Sequence, residues 1–288
     1  MSREIRALFV VLAIFALGGL GYRLLFLADL ADRFRIVSVA GDVRHVHAGG
    51  NTENAREGEA LEAGDRIVSG DGGRAVLGLG ENARVTVDAS TSVTVLGIAD
   101  DGVKLELEEG KVKATVRPGS GRVGIVSEGR EVSADDADFT AVRDPDGNLA
   151  VSTERGQLAV SGVPGINELR SGDDLVAPPG GGSPLRAPAS DALLLQVAWP
   201  GASRTREPDV EVTGTTQPGA SVTVSGGARP VTVRAGKDGR FSAKIPLSEG
   251  RNALSVAATS LLGRAADVAA AEVVRDTTAP NVGVTLEF

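Results

Sequence analysis

The chain has 288 residues, no cysteine and a formal net charge of −8, with 42% hydrophobic but only 3% aromatic residues. The lack of thiols excludes disulfides, thiolate catalysis and zinc–thiolate sites. Residues 36–180 hold 14 basic and 25 acidic residues, a net charge of −11. This argues against nucleic acid as a partner, because phosphates need clustered Lys and Arg. Abundant glycines between short β-branched runs are typical of an all-β protein.

The N-terminus carries a strongly apolar segment. Residues 7–22 hold no charge, and the apolar character continues past Arg23 to Ala28. A helix over 7–22 would span about 24 Å, and snorkelling of Arg6 and Arg23 would extend its reach towards the roughly 30 Å of a bilayer core. Because no A-x-A cleavage site follows, the pattern favours an uncleaved inner-membrane signal-anchor over residues 1–35 rather than a cleaved signal peptide.

The glycine-rich stretch Gly70–Ala75 fits the dinucleotide pattern G-x-G-x-x-G/A. That motif binds phosphate only where it follows a strand and opens a helix. Here residues 75–79 alternate as an extended chain, so the stretch predicts a turn. Asp-Gly pairs between strand-like runs predict further turns with a positive φ at the glycine: they lie at 71–72, 101–102, 146–147 and 238–239.

Period-two alternation predicts half-buried strands. It runs over residues 103–107 and resumes over 112–116 after Glu109-Gly110. We interpret this as an antiparallel hairpin that turns at Glu109-Gly110. Its charged outer face would bring two cations near two carboxylates, Lys113 and Arg117 near Glu106 and Glu108.

Residues 177–192 are rich in Pro and Gly and lack any periodicity, which predicts an interdomain linker. Strand signals resume after it, with a turn about every ten residues, as expected for a β-sandwich. The predicted organisation is therefore a transmembrane helix, a β domain, a linker and a second β domain, at 1–35, 36–176, 177–192 and 193–288.

Two polar motifs have the composition of cation sites. His45 and His47 share one face of a predicted strand, but no third ligand is evident nearby and Asp42 would project differently, so two solvated polar positions are favoured. The segment from Arg143 to Asn148 opens like a calcium loop with Asp144 and Asp146. It lacks the closing bidentate Glu, which favours a hairpin turn.

Other candidates for chemistry favour structural roles. Asp135, Asp136 and Asp138 could serve acid–base catalysis if buried together, but an exposed turn is favoured. The acidic residues Glu106, Glu108 and Glu109 fit the solvated face of a strand. Trp199 fits packing at the entrance to the second β domain better than ligand stacking. We therefore assign no catalytic, cofactor-binding or metal residue and no cofactor.

Residues 36–180 resemble a FecR domain, the extracytoplasmic module of bacterial iron-signalling regulators and of other envelope proteins. The matching landmarks are VAGDV (39–43), GEALEAGDRIVSG (58–70), RAVLGLGENARVTV (74–87), LELEEGKVKATV (105–116) and ADFTAV (137–142). The glycines and Gly64-Asp65 carry most of this likeness. The resemblance implies a β-sandwich or β-roll domain outside the cytoplasm.

Residues 208–280 are similar to bacterial Ig-like modules. The matching stretches are VTGTTQPGASVTVSG (212–226), KDGRFSAKIPLSEGRNALSVAAT (237–259) and DTTAPNVGV (276–284). This resemblance implies a second β-sandwich, of a kind that commonly acts as a spacer.

The resemblances imply an envelope protein that acts by binding rather than by catalysis. Our main hypothesis is an anchored, periplasmic scaffolding protein that contacts an envelope protein or glycan and no nucleic acid. The alternative is an envelope-sensing component of FecR-type sigma-factor regulation that works through a partner chain, because only Met1 to Arg6 precede the apolar segment. An enzyme is disfavoured, and the oligomeric state is left open.

Overall fold

The computed structural model describes residues 34–189, 193–201 and 203–278. Within these ranges the protein is all-β and contains no helix, so the predicted fold class is confirmed for this part of the chain. Among the same residues no helix is long and apolar enough to cross a bilayer. The predicted membrane segment, residues 7–28, lies outside the described residues.

Twenty-three strands make up the described chain. They are β1 (Phe34–Ala40), β2 (Val43–Val46), β3 (Thr52–Asn54), β4 (Arg66–Ser69), β5 (Arg74–Leu79), β6 (Ala83–Val87), β7 (Thr91–Ala99), β8 (Gly102–Val116), β9 (Arg122–Ser127), β10 (Arg130–Ala134), β11 (Ala137–Arg143), β12 (Leu149–Ser161), β13 (Glu168–Arg170), β14 (Asp173–Ala177), β15 (Leu185–Pro188), β16 (Gln196–Ala198), β17 (Arg204–Thr205), β18 (Asp209–Thr215), β19 (Ser221–Ser225), β20 (Val231–Arg234), β21 (Arg240–Pro246), β22 (Gly250–Thr259) and β23 (Ala265–Arg275).

The strands fall into two compact units. Among the described residues, the first comprises those up to 145 and 151–175, and the second comprises 146–150 and those from 176 onwards. Part of the predicted linker is ordered as the short strand β15, whereas the domain boundaries proposed from the sequence stay predictions.

Two layers of strands form the first unit. One layer has the order β1-β5-β6-β8-β11, and the other runs β12-β10-β9-β8-β7-β4-β2-β3. Their alternating apolar side chains meet in a core in which the largest fully buried residues are Phe34, Phe139, Ile36, Leu61, Ile67, Leu77, Leu105, Leu107, Ile125, Leu149, Leu158 and Leu169. Strand β8 belongs to both layers.

The hairpin predicted at Glu109-Gly110 is wrong, because residues 102–116 form the single strand β8. The strand pairs with β7 up to Glu109 and with β6 and β11 beyond Gly110. Gly110 has a φ of +97° at the change of layer. This irregularity shifts the inward-facing positions from 103, 105 and 107 to 112, 114 and 116, so both halves keep their apolar side chains in the core.

The salt bridges predicted across that hairpin are therefore also replaced. Lys113 pairs with Glu154 at 2.8 Å, and Arg117 pairs with Asp138 at 2.6 Å. Glu108 instead accepts hydrogen bonds from hydroxyl groups of the neighbouring strand β7.

The turns at the Asp-Gly pairs are confirmed. Gly72, Gly102, Gly147 and Gly239 all have positive φ angles. The glycine-rich stretch begins with a turn at residues 70–73, which leads from β4 into strand β5 and not into a helix. Gly73 lies so close to the preceding chain that a Cβ there would be 2.2 Å from the carbonyl oxygen of Asp42, so this glycine serves backbone packing.

The second unit has two sheets, ordered β16-β18-β21 and β17-β23-β22-β19-β20. Strands β17 and β23 pair in parallel, and the other pairs are antiparallel. Both sheets contribute to one core, into which Phe241, Ala243 and Ile245 point as the alternation predicts. Trp199 packs against the edge of that core, in agreement with its predicted packing role.

Candidate functional site

His45 lies at the inner face of strand β2 and is completely buried. The prediction of two solvated histidines is therefore wrong for His45. His47, two residues further on the same face, has 37% of its side chain exposed. The two rings are 4.0 Å apart between centroids and tilted by 41°.

Two carboxylates flank the buried ring. Oε1 of Glu59 lies 2.9 Å from Nδ1 of His45, and Oδ2 of Asp65 lies 3.0 Å from Nε2. The same two side chains lie 4.0 Å from the two ring nitrogens of His47. We call His45, His47, Glu59 and Asp65 the histidine cluster.

A tight turn before β4 fixes the Asp65 side chain. Its Oδ2 accepts a hydrogen bond from the backbone N–H of Glu62, and its Oδ1 accepts one from the N–H of Ala48. Gly64 adopts a φ of +93° within this turn and donates its N–H to the carbonyl of Val95. The carboxylate is thus held in place by backbone groups, independently of the histidines.

Pairing of β2 with β4 brings the cluster together. In that register His45 lies opposite Ile67, which places Asp65, two residues earlier in the chain, beside the end of β2. Glu59 comes from the segment whose backbone bonds to β1, since its carbonyl accepts the N–H of Ile36. Three separate pieces of chain therefore converge on one imidazole.

In the histidine cluster, the ionised carboxylate of Asp65 lies beside the His45 ring, whose nitrogens make no well-directed hydrogen bond among the described residues. Burial would raise the pKa of Asp65, but hydrogen bonds from the Glu62 and Ala48 backbone and the contact with His45 hold it below the ordinary value of 3.8. Neither ring nitrogen of His45 has a hydrogen-bond partner of acceptable geometry among the described residues, although the flanking oxygens are at hydrogen-bond distance. Such an arrangement can hold a cation between imidazole and carboxylate.

The acidic trio is a set of cross-strand ion pairs rather than an acid–base centre. Asp138 receives hydrogen bonds from Arg117 and Arg155, Asp136 one from Arg155, and Asp135 two from Arg122.

The pKa values of two of these carboxylates confirm the structural role. The hydrogen bond from Arg155 lowers the pKa of Asp136. Burial would raise the pKa of Asp138, but Arg117 and Arg155 outweigh it and lower the pKa below 3.8. General acid catalysis near neutral pH would need the opposite shift.

The predicted calcium loop is a turn between the paired strands β11 and β12, as favoured from the sequence. Asp42, which was expected to project away from the histidines, lies 3.6 Å from Arg44. A surface depression of about 370 Å³ lies over β7, β8 and β9 and is lined by residues such as Leu96, Lys104 and Arg122. Neither the acidic trio nor the histidine cluster lines it.

Sequence analysis missed Glu59 and Asp65 as neighbours of His45. They follow it by 14 and 20 residues, and only strand pairing brings them near. The one sequence signal was Gly64-Asp65, which carried much of the family resemblance without pointing to the histidines.

Comparison with known proteins supports that resemblance. The family described as FecR protein matches residues 65–159, which include Asp65 and the strands from β4 to most of β12; His45, His47 and Glu59 precede the matched range. No curated protein matches the chain.

Among solved structures, the chain is similar to two crystal structures of a candidate anti-sigma factor from Parabacteroides distasonis ATCC 8503. The identities are 18% and 17%, each with a TM-score of 0.38. Each match covers 43% of this chain and 59% of the other, so it spans less than two thirds of those proteins. On the family match, this chain carries a FecR domain at residues 65–159.

Proposed function

We propose that the protein is a regulatory component of an envelope signalling system of the FecR type and acts through a partner chain. The observation that carries this proposal is the FecR match over residues 65–159, which covers the centre of the first unit. FecR domains belong to regulators rather than to enzymes. This favours the sensing hypothesis over a purely scaffolding role.

The arrangement of charged side chains supports a role in binding. The acidic trio is neutralised by arginines of neighbouring segments, and the pKa values of Asp136 and Asp138 are lowered. A glycoside-cleaving pair would need two free carboxylates facing each other across a cleft. The paired side chains are therefore better suited to contacts with another macromolecule than to acid–base catalysis.

We further propose that residues 7–28 anchor the chain in the inner membrane and that both units lie outside the cytoplasm. The support is the uncharged run over 7–22, which is nearly long enough to span a bilayer. Protease added to spheroplasts should degrade the protein, as it would any periplasmic domain. Full protection in intact spheroplasts, together with degradation after lysis, would contradict this orientation.

For the second unit we propose an Ig-like module that spaces the FecR domain from a partner. Its support is the sequence pattern over 208–280 and the two sheets around one core. We expect that removal of this unit changes the distance over which the protein can contact a partner more than it changes which partner is bound.

Cross-linking in intact cells followed by affinity capture tests the signalling role. The full chain should recover a sigma factor or an anti-sigma protein, and a chain without residues 36–176 should not. A third chain, in which an unrelated anchor replaces residues 7–28, tests whether helix association transmits the signal. If that chain recovers the same partners and signals normally, or if no regulator is captured by the full chain, the signalling proposal is wrong.

A further inference from the structure

We propose that the histidine cluster is a binding site for one divalent transition-metal ion of the zinc class. Its ligands would be Nε2 of His45, His47 and the carboxylate of Asp65. The proposal rests on the geometry of these side chains and is independent of the proposed signalling function.

The three donors lie so close together that a small side-chain movement would let them bind one ion. One ligand atom from each of His45, His47 and Asp65 lies within 4.8 Å of the others. Zinc holds nitrogen and oxygen ligands at about 2.0–2.2 Å, so ligands of one ion are separated by roughly 3–4 Å. The 3.0 Å between Nε2 of His45 and Oδ2 of Asp65 falls at the short end of that range. A small rotation of the half-exposed His47 ring would complete the set.

The direction of the short contacts favours an ion over a shared proton. Oxygens lie at 2.9 and 3.0 Å from the two ring nitrogens of His45, yet neither nitrogen makes a well-directed hydrogen bond within the described residues. Nε2 of His45 and Oδ2 of Asp65 have the relation of two ligands of one ion, in which each lone pair points at the metal rather than at the other ligand. A proton would instead require the N–H to point at the oxygen.

Charge gives a second reason. The side chains of Glu59 and Asp65 are only 23% and 5% exposed, and both face a ring that is fully buried. Partly buried carboxylates need a compensating positive charge between them. An imidazolium at His45 would need to aim both N–H bonds at the carboxylates, and neither nitrogen meets hydrogen-bond geometry, although the interaction with His45 contributes to the lowered pKa of Asp65. A divalent cation meets the requirement without that alignment.

Glu59 has the position of an orienting partner rather than of a ligand. Its Oε1 lies beside Nδ1 of His45, on the opposite side of the ring from Asp65. Metal binding at Nε2 would leave the ring proton on Nδ1, and turning that N–H towards Oε1 in the metal-bound state would orient the ring and raise the basicity of Nε2. Glu59 is therefore a positioning residue in this site.

The donor set also selects the class of ion. Two imidazoles and one carboxylate suit zinc and its neighbours in the first transition series, whereas Mg²⁺ and Ca²⁺ prefer oxygen ligands alone. Three protein ligands leave at least one coordination position open. The exposed part of His47 lies on the solvent side, so that position could take water or a group from a partner.

The test uses the full-length chain without a polyhistidine tag, because the protein has only two histidines and both are in the cluster. Zn²⁺ affinity and stoichiometry are measured by competition with a chromophoric chelator, and imidazole nitrogen NMR reports the ring signals. We expect one Zn²⁺ per chain, shifted signals from both histidines, and no displacement by millimolar Mg²⁺ or Ca²⁺.

Variants separate a built site from loose surface binding. His47→Gln should weaken zinc binding by at least about tenfold, and Glu59→Gln by about 10–100-fold. Glu81→Gln, at an exposed turn, should bind as the unchanged protein does. The unfolding temperature without zinc should be nearly the same for Glu81→Gln and His47→Gln, because His47 is half-exposed. Failure to bind stoichiometric zinc would overturn the proposal, and so would a zinc affinity of His47→Gln and Glu59→Gln equal to that of the unchanged protein.

Discussion

Gly110 allows strand β8 to pass from one layer of the first unit to the other. Its φ is +97°, and a Cβ at this position would lie 2.6 Å from the backbone of Thr91 and 2.3 Å from its hydroxyl. A side chain there meets both an unfavourable backbone angle and a neighbouring strand that cannot move away. Gly110 is therefore required by two independent constraints.

We predict that Gly110→Ala lowers the free energy of unfolding by about 3 kcal/mol, from backbone strain and overpacking together. Gly129→Ala is the matched control, because Gly129 also has a positive φ, +78°, but a Cβ there would have nothing within 4 Å. We expect it to cost only about 1 kcal/mol. Urea unfolding followed by circular dichroism measures both. Equal losses would show that the close approach to Thr91 has no energetic effect.

Asn252 is the corresponding polar anchor of the second unit. Its Oδ1 accepts the N–H of Ser248, and its Nδ2 donates to the carbonyls of Ser248, Gly250 and Val273. The side chain is buried, so its loss would leave backbone groups without partners. It closes the loop that leads into β22.

We predict that Asn252→Ala destabilises the second unit by about 3 kcal/mol, because unsatisfied buried groups cost about 1–3 kcal/mol each and water can replace some of the lost bonds. Ser255→Ala, at an exposed position of the same strand, should change stability by less than about 0.5 kcal/mol. Thermal unfolding of the two variants compares them. A loss for Asn252→Ala no larger than that for Ser255→Ala would contradict the anchoring role.

At the scale of elements, ion pairs join strands β8, β11 and β12. Lys113 on β8 contacts Glu154 on β12. Asp138 on β11 lies between Arg117, which directly follows β8, and Arg155 of β12. All of these side chains are at least partly exposed, so each pair contributes little in salt. Arg155 also contacts Asp136, and the pKa values of Asp136 and Asp138, the two carboxylates it contacts, are lowered.

The pH dependence of stability follows from these lowered values. A carboxyl group whose pKa is lower in the folded state stabilises the fold above its unfolded-state pKa, near 3.8, and loses that contribution as pH falls further. Stability should therefore decrease as pH drops from about 4 towards the lowered pKa values. Arg155→Gln should make this decrease shallower, and Lys237→Gln, which removes an exposed cation of the second unit, should not. Urea unfolding of both variants at pH 6 and pH 3 provides the comparison. The prediction would be contradicted if the free energy of unfolding fell by the same amount between these two pH values in both variants.

Sequence periodicity predicted the strands well because burial alternates along them, as in β21, where every second residue is buried. It could not separate a hairpin from a bent strand at Glu109-Gly110. Both arrangements move the apolar positions from odd to even numbers, and only the partners of β8 decide between them. Likewise, burial of His45 depends on Asp65 and Glu59, which reach it through tertiary pairing and not through local pattern.

At the scale of the whole molecule, the chain consists of two compact units. An exposed glycine turn lies a few residues after position 176, where the chain enters the second unit. Gly180 and Gly181 have positive φ angles, and both are exposed. Exposed turns of small residues are the preferred sites of proteolysis in folded proteins. This segment is therefore an accessible part of the predicted linker.

We predict that brief digestion with proteinase K cuts first within residues 180–183 and releases two resistant fragments. Mass spectrometry of the fragments locates the cut. First cuts inside β8 or β22 would contradict this division of the chain.

Strand β8 has one further consequence. The first half of β8 is hydrogen-bonded to β7, and its second half is hydrogen-bonded to β6 and β11. Because both layers share this one strand, neither layer can unfold without breaking hydrogen bonds of β8. Amide protons on both sides of residue 110 should consequently exchange with deuterated solvent at a common, slow rate, as one cooperative block that resists mechanical pulling from either end.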